Sequence, residues 1–110
     1  MIFYRPISVI KLKDLVAKQP VIAGMNFIDS LELYKGDVIS ESECKDKDNG
    51  PNNHAVVIVG YSDKTSTKCK KGYWIVKNSH GTNWGESGYM LLCFPADGDL
   101  STYQKGTCNI

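Results

Sequence analysis

The sequence lacks a long apolar run and an excess of charge of either sign, and each absence excludes a class of protein. Its longest apolar runs, residues 55–59 and 90–94, contain five residues each, whereas a helix that spans a membrane needs about 20. The 13 basic and 12 acidic side chains leave a net charge of +1, which is too small to attract the phosphates of a nucleic acid. We therefore expect neither a membrane nor a nucleic acid as a partner.

Ligands for a metal ion are also scarce. The chain has two histidines, and no two of its four cysteines have the C-x-x-C spacing that zinc and redox sites use. We therefore expect no metal ion and no cofactor. What is present is the composition of an ordinary folded protein, with 42% hydrophobic and 23% charged residues. A length of 110 residues allows a single domain, residues 1–110, with one modest core.

The four cysteines, an even number in a small domain, favour disulfide bonds and an oxidising compartment. Cys44 and Cys69 lie in charged segments, which argues against the alternative of four buried thiols. All three pairings are open at this point. The first residues contain no apolar signal-peptide segment. We expect either that a signal has been removed or that the chain is a piece of a longer protein.

The pattern predicts one helix near the start of the chain. Ser8 is a suitable N-cap, and Pro20 ends the helix at residue 19. Three apolar residues share one face of this helix: Leu12, Leu15 and Val16.

Strands are predicted to dominate the rest of the chain. The clearest signals are at residues 55–61, 73–77 and 89–94. Weaker ones predict a strand at residues 21–28, a helical turn after it and an extended stretch at residues 36–39. Residues 41–53 are polar and are predicted to be a loop. Together these elements predict an α+β domain, mainly β, with a small antiparallel barrel-like sheet and one short N-terminal helix.

Two polar side chains are predicted to meet in the hairpin formed by the strands at residues 55–61 and 73–77. A turn centred at residues 65–67 places His54 opposite Asn78, close enough for the amide oxygen to accept a hydrogen bond from a ring N–H. Such a bond selects one tautomer of the imidazole and leaves the second nitrogen to act on a nucleophile. Taken alone, a histidine beside an asparagine is more often a structural pair.

The sequence around both residues makes the chemical interpretation specific. The segments Asn-His-Ala-Val at residues 53–56, Val-Gly-Tyr at residues 59–61, and residues 73–79 and 81–89 resemble the histidine and asparagine motifs of papain-like cysteine peptidases. Residues 19–21 and 34–36 resemble the stretch that precedes the histidine in that family. The resemblance runs from about residue 19 to the end of the chain, with the motifs in the family's order.

The resemblance implies roles for individual residues. His54 matches the general base, and Asn78 matches the residue that orients it. Three positions match the pocket for the second residue before the scissile bond: Gly24, Asn53 and Ala55. Trp84 matches a tryptophan on the leaving-group side. The family pattern also implies a disulfide between Cys44 and Cys108, which leaves Cys69 and Cys93 as a second pair.

The chain departs from the family in two places. The nucleophile motif Gln-x-x-x-Cys-Gly-x-Cys-Trp is absent, because none of the four cysteines is followed by glycine or tryptophan. His80 stands where the family has a tryptophan that covers the bond between the histidine and the asparagine. We assign His80 no catalytic role.

The resemblance therefore implies the histidine-bearing, β-rich half of a cysteine endopeptidase, with the nucleophile-bearing half absent from this chain. Its partners would be a peptide or protein substrate and a complementary Cys-bearing half, and the chain alone would be inactive. The family implies the secretory pathway and a lysosomal, vacuolar or extracellular location. The alternative is a catalytically inactive homologue that acts as a binding or structural protein.

Overall fold

A computed structural model describes residues 7–44, 52–79, 81–102 and 106–110. The helices are α1 (Val9–Val16) and α2 (Glu41–Cys44), and the strands are β1 (Val21–Met25), β2 (Val38–Ile39), β3 (His54–Ser62), β4 (Tyr73–Lys77) and β5 (Tyr89–Cys93). Two 3₁₀ helices, Asp29–Leu33 and Thr107–Asn109, complete the described elements. In the parts of the chain that the structure describes, no helix has the length and apolarity to cross a membrane.

Helix α1 begins where the sequence predicts. The Ser8 hydroxyl accepts a hydrogen bond from the Lys11 N–H over 3.1 Å, which satisfies one of the donors left over in the first turn. Val9 and Val16 are buried against the sheet. The helix ends at Val16, earlier than the expected residue 19.

The five strands form one open sheet in the order β1-β3-β4-β5-β2. The fold class, α+β and mainly β with one short N-terminal helix, is confirmed, but the sheet is neither wholly antiparallel nor closed into a barrel. Strand β2 pairs with β5 in parallel, through Val38 with Leu91 and Ile39 with Leu92. The connection from β1 reverses the chain direction, so β2 runs opposite to β1 and therefore along β5. Closure would need β1 and β2 to pair, and they lie at opposite edges.

Alternation along the strands puts one face of the sheet into the core. The inward residues of the three central strands are Val56 and Ile58, Trp74 and Val76, and Met90 and Leu92, all at most 3% exposed. Their neighbours, such as Ala55 and Lys77, are exposed on the opposite face. The period of two predicted from the sequence therefore sets which face of each strand is buried.

One disulfide bond joins α2 to the 3₁₀ helix Thr107–Asn109, and the other joins the turn between β3 and β4 to β5. Cys44 is bonded to Cys108, with Cα atoms 5.3 Å apart, and Cys69 is bonded to Cys93, with Cα atoms 5.0 Å apart. The prediction of a loop over residues 41–53 is wrong at its start, because Glu41–Cys44 forms the helical turn α2. The buried Cys44, fixed by its disulfide, ties this polar segment to the core. Residues 45–51 lie outside the described residues.

Candidate active site

The His54 and Asn78 side chains are in direct contact. His54 Nε2 lies 2.6 Å from Asn78 Oδ1. The same oxygen accepts a hydrogen bond from the Ser79 backbone N–H over 2.8 Å. Because a backbone N–H can only donate, this bond identifies the oxygen of the amide, and His54 must therefore donate through an Nε2–H. The tautomer protonated at Nε2 carries its lone pair on Nδ1, which is the basic nitrogen of the ring.

The contact forms although the predicted register is wrong. Val57 pairs with Lys77, so the residue opposite Asn78 is Val56 rather than His54. The hairpin turns later than predicted, and an irregularity between Ile58 and Gly60 reduces the resulting shift by one residue toward this end. Because the shift at this end is two residues, the side chains stay on the same face, and a diagonal contact replaces the direct one.

The amide nitrogen of Asn78 has a different environment from its oxygen. Asn78 is 5% exposed, and within the described residues its Nδ2 is buried without a hydrogen-bond partner. Asn78 is also one of the residues lining a cavity of about 250 Å³, together with Ala55, Val56, Val57, Lys77 and Ser79. Leaving a buried donor unsatisfied costs about 1 to 3 kcal/mol. This part of the surface is therefore suited to receive an acceptor from another segment.

The histidine has a second neighbour, Phe27, whose backbone is bound by the Asn53 side chain. Asn53 Oδ1 accepts a hydrogen bond from the Phe27 N–H over 2.8 Å, and Asn53 Nδ2 donates to the Phe27 carbonyl over 3.3 Å. Phe27 in turn lies against His54, with ring centroids 5.0 Å apart. The carboxamide of Asn53, predicted to line a substrate pocket, thus binds the backbone of Phe27. Its contribution to a pocket remains a prediction.

Gly24 and Ala55 are direct partners in β1 and β3, and both are exposed. A Cβ at Gly24 would lie 3.2 Å from the Asn52 side-chain nitrogen, so glycine leaves room for the Asn52 side chain. The structure therefore brings two of the predicted pocket residues together, on the opposite face from the buried Val56. Substrate binding by these residues remains a prediction.

Trp84 is 8% exposed, and its indole Nε1–H donates to the Leu31 carbonyl over 3.0 Å. Its ring lies 5.9 Å from Phe27 and 5.4 Å from Tyr34, between centroids. Burial raises the pKa of Tyr34 well above its usual value, and the charge of Glu86 adds to this effect. The predicted leaving-group-side tryptophan is therefore connected to His54 through the Phe27 ring.

Sequence reasoning missed Phe27 as a neighbour of the histidine. The pattern placed it only in a helical turn after β1, and no periodic signal points it at residue 54. A signal was nevertheless present, since an asparagine directly before a histidine can bind a neighbouring backbone. His80, the other departure from the family pattern, lies outside the described residues. Among the residues that the structure describes, no three His, Cys, Asp or Glu side chains form a group that could hold a metal ion.

Comparison with known proteins gives consistent matches. The sequence pattern of the papain family of cysteine proteases matches residues 4–110. The chain is 40% identical to Peptidase 1 of Dermatophagoides pteronyssinus over 106 residues, which cover 91% of this chain and 30% of that protein. It is 38% identical to procathepsin L of Felis catus over 85 residues, covering 76% of this chain and 24% of the relative. The chain thus spans about a quarter to a third of these two relatives.

Solved structures agree with this comparison. The bromelain protease from Ananas comosus, in complex with the E64 inhibitor, superposes with a TM-score of 0.67 at 32% identity, covering 94% of this chain and 42% of that one. Recombinant stem bromelain precursor gives a TM-score of 0.69 at 32% identity, covering 96% of this chain and 31% of that one.

Proposed function

The chain belongs to the papain family of cysteine proteases, and from this premise we propose that it supplies the general base, His54, and its orienting partner, Asn78, for peptide-bond hydrolysis by a cysteine on another segment. The observation that carries the proposal is the 2.6 Å contact between His54 Nε2 and Asn78 Oδ1. It leaves the basic lone pair on Nδ1, which is the requirement for a base that activates a thiol.

The nucleophile must come from outside these 110 residues. All four cysteines are bonded in pairs, so the chain has no thiol to activate. A thiol brought to His54 would transfer its proton to Nδ1 and attack the substrate carbonyl carbon as thiolate. The imidazolium would then protonate the leaving amine, and water would hydrolyse the thioester with His54 again acting as base.

The surface beside Asn78 supports a docking position for the segment that carries the cysteine. Asn78 lines a cavity together with Ala55 and Lys77, which are exposed on one face of the sheet. A backbone carbonyl of the docking segment would satisfy the buried Asn78 Nδ2, for which the described residues supply no acceptor. In this proposal a peptide or protein substrate would contact Gly24 and Ala55, with Trp84 toward the leaving group.

Two disulfides in 110 residues are typical of proteins that fold in oxidising compartments. We therefore place the protein in the secretory pathway, with a lysosomal, vacuolar or extracellular destination. The alternative is an inactive homologue whose missing segment carries another residue at the position of the nucleophile. The direct contact of His54 with Asn78 supports the active protease instead.

The test is assembly with a Cys-bearing segment. We expect co-folding of the chain with the nucleophile half of a papain-family protease to give hydrolysis of a fluorogenic peptide and labelling by an epoxide inhibitor of the E64 type. His54→Ala should abolish turnover, and the matched control Leu33→Ala, at a side chain that is 81% exposed, should not change it.

The chain alone provides the second arm of this test. It should neither hydrolyse the peptide nor become labelled, because its cysteines are paired. Labelling of the isolated chain, or an assembled protein whose activity survives His54→Ala, would contradict the proposed function.

A further inference from the structure

Phe27 lies against the imidazole of His54. The ring centroids are 5.0 Å apart, and the planes are tilted by 54°, an arrangement within the range of attractive aromatic pairs. This contact is separate from the hydrogen bond to Asn78, which acts in the plane of the imidazole at Nε2. His54 therefore has two separate contacts, a hydrogen bond at Nε2 and an aromatic contact with Phe27.

The Phe27 backbone is itself held by the residue that precedes His54. Asn53 receives the Phe27 N–H over 2.8 Å and donates to its carbonyl over 3.3 Å. Two hydrogen bonds from one planar carboxamide fix both the position and the orientation of the peptide. Because Asn53 and His54 are adjacent in the chain, the bonds lock Phe27 to the same segment that carries the imidazole.

The Phe27 ring also lies against Trp84. The two centroids are 5.9 Å apart, and the indole donates a hydrogen bond to the Leu31 carbonyl over 3.0 Å. Phe27 is thus bound through its backbone by Asn53 and packed against a second aromatic ring.

A single hydrogen bond does not determine the plane of an imidazole. With Nε2 held at Asn78 and Cβ held by the backbone, the ring can still tilt about the line through these two atoms. Nδ1 lies off that line, so tilting moves the basic nitrogen relative to an incoming group. Proton transfer is sensitive to such displacements, because it requires hydrogen-bond distance and alignment.

We propose that Phe27, whose backbone is hydrogen-bonded by the Asn53 side chain, is a positioning residue. It fixes the plane of the His54 imidazole and thereby the orientation of Nδ1. Its consequence for catalysis rests on the proposed function. The fixed ring plane is a property of the chain itself and can be measured without any protease activity.

The first experiment uses nitrogen-15 NMR of the imidazole in the full chain, with the second histidine assigned through His80→Gln. The original chain should show one His54 tautomer with a slowly exchanging Nε2–H. Phe27→Ala should give a mixture of tautomers and faster exchange of that proton, and Phe27→Tyr should restore the original spectrum. Phe27→Leu keeps most of the apolar volume, and the methyl signals of the fully buried Ile58 report whether each variant is folded.

A double-mutant cycle tests whether the hydrogen bonds of Asn53 act on His54 through Phe27. Asn53→Ala should produce the same change in the His54 spectrum as Phe27→Ala, and the double variant should show no further change, since both act through one contact. Leu33→Ala, on the exposed side of the same segment, is the matched control. An unchanged His54 spectrum in folded Phe27→Leu and Phe27→Ala chains would overturn the proposal.

The second experiment measures activity in the assembled protease. Phe27→Leu should lower kcat roughly 3- to 10-fold with KM unchanged, the range that the strength of one aromatic contact allows. A raised KM with unchanged kcat would assign Phe27 to substrate binding and overturn the proposal. If the assembled protein is inactive with every Cys-bearing half, the proposed function fails, and the NMR result still decides whether Phe27 positions the ring.

Discussion

The two ends of the β3–β4 hairpin are built differently. At the closed end, near Ser62 and Tyr73, the strands are joined by the turn and held by an aromatic cluster and a disulfide. The members of this cluster are Tyr61, Trp74 and Phe94, with Lys13 above two of the rings, and the disulfide is Cys69–Cys93. At the open end, His54 and Asn78 are in direct contact, and Asn78 lines a cavity of about 250 Å³.

The two ends differ in whether their polar groups find partners within the chain. At the closed end, Lys13 Nζ lies 2.6 Å from Asp63 and 5.0 Å from the centroid of Tyr61, so its charge is compensated within the chain. At the open end, the buried Asn78 Nδ2 finds no acceptor among the described residues. The closed end thus contributes stability within the chain, and the open end retains a buried donor without an acceptor among the described residues.

The largest effect on stability should come from removing the disulfide at the closed end. Replacing both Cys69 and Cys93 by serine should lower the free energy of unfolding by roughly 3 kcal/mol, because the bond closes a loop of 24 residues. Urea unfolding measures the loss, with the exposed Thr65→Ala in the same turn as control. The His54 NMR signals should persist. A loss below about 1 kcal/mol would mean that the aromatic cluster, not the disulfide, holds this end.

At the open end, a substitution should cost activity rather than stability. Asn78→Ala should lower kcat/KM of the assembled protease roughly 10- to 100-fold, because the imidazole loses its orienting acceptor. The free energy of unfolding of the chain should change by less than about 1 kcal/mol, since the substitution also removes the buried Nδ2. The exposed Asn83→Ala is the matched control. A large loss of stability with little loss of activity would reverse the contrast between the two ends.

A smaller effect is expected for the cation at the closed end. Lys13→Met keeps the length of the side chain but removes its contacts with Asp63 and with the rings of Tyr61 and Phe94. We expect a loss of about 1 kcal/mol in thermal or urea unfolding. Lys11→Met, at an exposed position of the same helix, should change nothing. Equal effects of the two substitutions would show that Lys13 acts only through net charge.

The smallest effect concerns Tyr34, beside Trp84. Burial raises its pKa in the folded chain above the ordinary value, so the contribution of this group is complete below about pH 10. It declines at higher pH, where the unfolded chain loses the phenol proton and the folded chain keeps it. Tyr34→Phe should therefore flatten the loss of stability above pH 10 in urea unfolding. Tyr73→Phe serves as control, and an equally steep decline in Tyr34→Phe would contradict the assignment.

The predicted strands show which information is local. Residues 73–77 match β4, and residues 55–61 and 89–94 match β3 and β5 within two residues at each end. Their inward positions follow from alternation alone, because successive side chains in a strand point to opposite faces. The helical turn α2 could not be predicted in this way. Its four residues are polar except Cys44, and a disulfide to a cysteine 64 residues away anchors the turn.

For the predicted site too, some features follow from the local pattern and others depend on the tertiary structure. The sequence indicated His54 and Asn78 as a pair, and the contact exists because residues of equal parity share a face even when the register differs by two. The parallel pairing of β2 with β5 was not predictable from either strand. It depends on the path of the chain around the edge of the sheet, which no local pattern records.

The sequence by itself determined the family, the inward face of each central strand and the two residues of the candidate base. Each of these is encoded by residue types at short, fixed spacing. Only the tertiary structure decided that the sheet is open, that Asn53 binds the backbone of Phe27 beside His54 and that Asn78 Nδ2 is buried without an acceptor among the described residues. These features depend on the exact placement of segments distant in sequence, and that placement is set by the packing of the whole core and by the disulfides rather than by any local pattern.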